Sequence, residues 1–67
     1  MFSVTTKRKD GTTVSVTCAD VRSALCAYDR SCAEFSPELD TSVCLAQKVA
    51  DGIEILKYRN RGFAWSV

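Results

Sequence analysis

The chain has 67 residues, 46% of them apolar and 25% charged, with a net charge of +1. That composition describes one small globular domain, residues 1–67; it excludes a disordered chain, and the net charge singles out no class of partner. A chain of ~60 residues buries only about 60% of its unfolded surface, so the core is marginal and a partner subunit is one expected remedy.

Phe2, Val4 and Thr6 alternate with Ser3, Thr5 and Lys7, which predicts a half-buried strand. Asp10-Gly11 supplies a turn, and Val14, Val16 and Cys18 resume the apolar face to complete a hairpin. Thr17, with Asp20 three places later, predicts a helix start with a hydroxyl cap and an acid in the first turn. Val21, Leu25, Tyr28, Cys32 and Phe35 then form one helical stripe, ending near Glu34-Phe35. Ser36-Pro37-Glu38 reads as a second helix start, with Asp40 or Thr41 an equal alternative cap. Residues 43–50 show a wide apolar arc, and Gly52 reads as the residue that closes a second helix. Ile53 and Ile55 open another strand through Arg59, Asn60-Arg61-Gly62 makes a tight connection, and Phe63, Trp65 and Val67 alternate as its partner.

The predicted fold is therefore α+β: a ββααββ two-layer sandwich, with an antiparallel sheet of two hairpins and a two-helix layer on one face. Phe2, Val4, Val14, Val16, Ile53, Ile55, Phe63 and Trp65 are expected to point at Val21, Leu25, Tyr28, Val43 and Val49.

The absence of histidine removes the commonest general base and a frequent metal ligand. There is no phosphate-binding glycine loop and no acid pair at a catalytic spacing, so a non-enzyme without cofactor is expected. Cys18, Cys26, Cys32 and Cys44 lack the close pairs of a structural zinc site, which predicts no metal. Cys18, Cys32 and Cys44 read as small buried hydrophobes, while a disulfide between the helices is the alternative. No run approaches the ~18 apolar residues of a membrane helix, and the first residues lack a signal-peptide pattern, so a cytoplasmic protein without membrane contact is expected.

Charge is unevenly spread. Six of the nine cations, Lys7, Arg8, Lys9, Lys57, Arg59 and Arg61, flank the two hairpin turns, while residues 19–54 hold seven acids against three bases. The six cations, with Tyr58 as a stacking platform on the open sheet face, are the candidate partner-binding residues. Hairpin tips also carry cations simply for solubility and to block edge pairing. The expected function is a small protein-binding accessory or inhibitor that occludes a partner surface, of the size common among bacteriophage and mobile-element products. A nucleic-acid binder using the basic turns is the alternative, and a structural homo-oligomer subunit the third. Homodimerisation is expected through a free strand edge or through apolar surface on residues 43–50.

Overall fold

The N-terminal alternation folds as a hairpin of β1 (Phe2–Arg8) and β2 (Thr13–Cys18), with Val4 opposite Val16 and Thr6 opposite Val14. Its turn is made by Asp10, whose carboxylate accepts the Thr12 N–H (2.9 Å) and hydroxyl (2.6 Å), while Gly11 takes a φ of +90° that other residues rarely adopt. A computed structural model describes residues 1–66, except for the side chain of Trp65. The expected inward alternation of Trp65 and Val67 lies outside those described residues.

One helix follows, α1 (Val21–Ala33), capped by Asp20, whose carboxylate accepts the Ser23 N–H at 2.8 Å. Thr17 is not the cap, because pairing with Ser3 keeps it in β2. The helix ends at Glu34, as its stripe requires, but the buried line runs through Ala24 and Tyr28, and Val21 is exposed. Ala24 is small, which lets the helix axis approach the sheet closely.

The expected second helix does not form. Ser36-Pro37-Glu38 is a turn, closed by Leu39 and Asp40 N–H groups donating to the Ser36 carbonyl. Residues 43–50 instead lie mostly in the ten-residue strand β3 (Asp40–Val49), which joins β4 (Gly52–Asn60) through Ala50-Asp51. Gly52 therefore opens a strand rather than closing a helix, with φ at +145°. The short β5 (Ala64–Ser66) completes one antiparallel sheet in the order β2-β1-β3-β4-β5. The ββααββ sandwich is thus replaced by ββαβββ, a five-stranded sheet with a single helix on one face.

The physical reason lies in β3. As the middle strand it is apolar on both sides, and such a run cannot be told from a buried helix by periodicity. Val43 and Leu45 point to the helix and join Val4, Ala24 and Tyr28 in the core, packed further by Phe2, Leu25, Phe35 and Leu56. Cys44 and Ala46 point the other way, beside Thr5 and Ser3 of β1. No helix among the described residues is long and apolar enough to cross a membrane.

Tyr28 gives the core a measurable pH limit. Burial, and then a hydrogen bond with Cys32, push its phenol up to about 12 from an ordinary 10. The folded state therefore favours the neutral ring, so this stabilisation is complete below pH ~10 and is lost as pH rises toward 12. Urea unfolding should show up to about 2 kcal/mol of lost stability across that window, and Tyr28→Phe should reduce the loss.

Candidate functional site

Strand register sorts the surface into two faces. Residues directly opposite one another in an antiparallel sheet share a side, so positions level with Val4 and Leu45 face α1 and the alternate ones face away. The away side presents Thr13, Ser15 and Thr17 from β2, Ser3, Thr5 and Lys7 from β1, and Ser42, Cys44, Ala46 and Lys48 from β3. On β4 the register shifts between Leu45 and Ala46, so Leu45 faces Lys57 whereas Ala46 faces Ile55. Leu56 is the extra residue, and it packs against the core. Because of this bulge, Tyr58, Ile55 and Ile53 all stand on the open face.

The expectation that Ile53, Ile55 and Phe63 point into the core is therefore overturned: they are 73%, 44% and 56% exposed. Val14, Val16 and Val49 are likewise exposed, the first two because they sit on the outermost strand, beside α1 rather than beneath it. Phe63 turns its ring against Tyr58, with centroids 5.8 Å apart and planes tilted by 40°. Asn60 fixes that turn by accepting the Gly62 and Phe63 N–H groups at 2.8 and 3.0 Å.

The open face holds a groove of about 520 Å³ lined by Thr5, Lys7, Thr41, Ser42, Cys44, Ile55, Tyr58 and Asn60. Its floor is formed by the small β3 side chains Ser42 and Cys44, between neighbours on β1 and β4. Desolvation raises the Cys44 thiol above its ordinary pKa, with Lys7 opposing the shift, so Cys44 is a weak nucleophile at neutral pH. Lys7 and Lys48 are the only charged side chains among the described strand positions on this side.

The basic residues do not gather into one patch. Both hairpin turns lie at the same end of the sheet, since Lys7, Ser42 and Asn60 are level across β1, β3 and β4. The β1 and β4 axes are two strand spacings apart, or about 10 Å. Lys57 and Arg59 point to the helix side, opposite Tyr58. The Lys57 ammonium lies 5.6 Å from the centre of the Tyr28 ring, and the Arg59 guanidinium 5.1 Å from that of Phe35. Arg59 also donates to the Cys32 carbonyl at 3.3 Å, in the last turn of α1, where a cation is favoured. Arg8 is near Asp40 (3.9 Å), and Lys9 and Arg61 stand exposed in the turns.

The four thiols are free, so the alternative of an inter-helix disulfide is not realised; with one helix it has no second member to join. Cys26 is exposed, and Cys18, Cys32 and Cys44 are half-buried rather than fully enclosed. The expected place of Tyr58 on the open face agrees with the strand register, whereas Ile53 and Ile55 beside it could not be read from sequence, because their phase depends on the β4 bulge, which no residue type there announces. No family model, no curated protein and no solved structure matches this chain.

Proposed function

We propose that this protein is a non-enzymatic binding module that uses the open face of its sheet to cover an apolar patch with an acidic rim on a folded partner protein. The observation that carries this reading is the exposure of Ile53, Ile55 and Phe63 around Tyr58 on a face that no other element among the described residues covers. Aromatic and aliphatic anchors of this kind dominate protein interfaces. Lys7 and Lys48 supply the charge at its margins and favour an acidic rim on the partner. Binding by a rigid sheet would block whatever the partner does at that patch.

A photocrosslinking residue placed at Ile53 or Ile55 should capture one partner from an extract, and the same residue at Arg22 on α1 should not. With that partner purified, Ile53→Asp/Ile55→Asp should weaken binding at least ~10-fold, the size expected from losing one interface anchor. A partner captured from Arg22 alone, or one indifferent to the double variant, contradicts the proposal.

The nucleic-acid reading retains one supporting observation, the Tyr58–Phe63 ring pair near Lys7. It requires retention of a single-stranded oligonucleotide at low salt, with loss in Lys7→Ala/Tyr58→Ala. That result would displace the protein-binding reading.

A further inference from the structure

A second surface is independent of the open face. β2 is an edge strand of the sheet, and its sequence Thr13-Val14-Ser15-Val16-Thr17-Cys18 contains no charge and no proline. Edges are ordinarily blunted by such residues, and this one is not. The opposite edge, β5, spans three residues and offers little to pair with.

The pairing phase of β2 can be read from the hairpin turn. The Arg8 N–H donates to the Thr12 carbonyl at 2.9 Å, which sets Arg8 and Thr12 at a hydrogen-bonding position of the ladder, although the Thr12 N–H itself turns to Asp10. By alternation, Val14, Val16 and Cys18 direct their backbone groups inward to β1. Thr13, Ser15 and Thr17 direct theirs outward, where no strand among the described residues takes them up. The three outward residues are symmetric about Ser15.

We propose that β2 is a self-association edge, on which a second copy of this chain adds its own β2 antiparallel, with the two-fold axis at Ser15. In this register Ser15 meets the partner's Ser15, and Thr13 meets the partner's Thr17. Each such pair exchanges two backbone bonds, so every outward group on both copies is used. A one-residue slip would set outward groups against inward ones, and a two-residue slip would leave a pair unmatched. The axis is normal to the sheet, so both helices stay on one side. There Val14, just under half exposed, lies opposite the partner's Val16. The two pairs of valines then lie on the floor of the gap between the helices, in a groove that each copy lines with Val14, Val16, Ala27 and Ser31 together with the charged Arg30 and Glu34.

The occupant is a second copy because the edge matches itself without displacing any charge. A six-residue edge with two valines from each copy buries less than the ~1,200 Å² where stable interfaces begin, so dimerisation is reversible, with Kd on the order of 100 µM. The product is a continuous sheet with both open faces on one side.

Sedimentation equilibrium of the full chain from 10 µM to 1 mM should show monomer giving way to dimer. Ser15→Lys sets like charges directly opposite at the axis, and should keep the chain monomeric throughout while leaving its circular dichroism unchanged. The register is tested separately in a Cys26→Ser background, which removes the exposed thiol. With oxidised glutathione as oxidant, Ser15→Cys should form a covalent dimer at least ~10-fold faster than Thr13→Cys, because only position 15 meets itself within disulfide reach. A wild type that stays monomeric at 1 mM, including one whose edge takes a different protein's strand, overturns the proposal. So does equal crosslinking at positions 13 and 15. Neither result bears on the open-face reading, which concerns a different surface.

Discussion

Leu45→Ala is expected to leave this protein largely unfolded at 25 °C, while Ile53→Ala leaves its stability within about 0.5 kcal/mol of wild type. Both residues are large aliphatics in strands. Leu45 is 1% exposed and sits with Val4, Val43 and Tyr28 between the sheet and α1, so truncation removes its transfer energy and opens a cavity costing about 2–5 kcal/mol. A single core of this size seldom supplies more than ~3–5 kcal/mol, so that loss approaches the whole. Ile53 lies on the open face and is mostly solvated already, so its truncation removes little burial. Urea unfolding followed by circular dichroism measures both. Comparable destabilisation by the two substitutions would mean that the assignment of faces on β4 is wrong.

Asp40→Ala should destabilise by about 1–3 kcal/mol, and Asp40→Asn by markedly less. Asp40 is a buried carboxylate at the start of β3, and its Oδ2 accepts the Ser36 N–H at 2.9 Å. Its own N–H donates back to the Ser36 carbonyl at 2.7 Å, so one residue closes the loop that carries the chain from the helix to the middle strand. Alanine strands the Ser36 donor in a part-buried site, whereas asparagine keeps an acceptor. Arg8 adds little to the difference, because at 3.9 Å and half exposed it makes a weak ion pair. Equal losses in the two variants would show that charge, rather than the hydrogen bond, is what the loop uses.

Legibility in the sequence tracked how many faces an element buries. β1 buries one side, and β2 turns its valines to that same side while leaving them half exposed, so the period-2 pattern of both is readable down to the Asp10-Gly11 turn. α1 also buries one stripe and is readable to within a residue or two at its C-terminal end, whereas its cap, expected at Thr17, is Asp20. β3 is not, because Val43 and Leu45 serve the core while Cys44 and Ala46 face the open side, leaving no polar alternation to mark a strand. β4 was recognised as a strand, but its phase was misread. The bulge at Leu56 exchanges the faces, turning Ile53 and Ile55 outward and Lys57 and Arg59 toward α1. Apolar residues are not obliged to be inside, so two isoleucines carry no signal of which side they take. The candidate site inherits that error: the cations were visible, but their division between opposite faces depends on a register that only pairing reveals.

Assignment of the backbone resonances, with nuclear Overhauser contacts across residues 40–49, probes the heart of this description. Cross-strand contacts from Leu45 to both Val4 and Lys57 are expected, along with slow amide exchange through the segment, since it lies between two strands. Successive amide–amide contacts running from Val43 to Ala50, as in a helical turn, would contradict it. The uncovered face proposed for binding would then not exist.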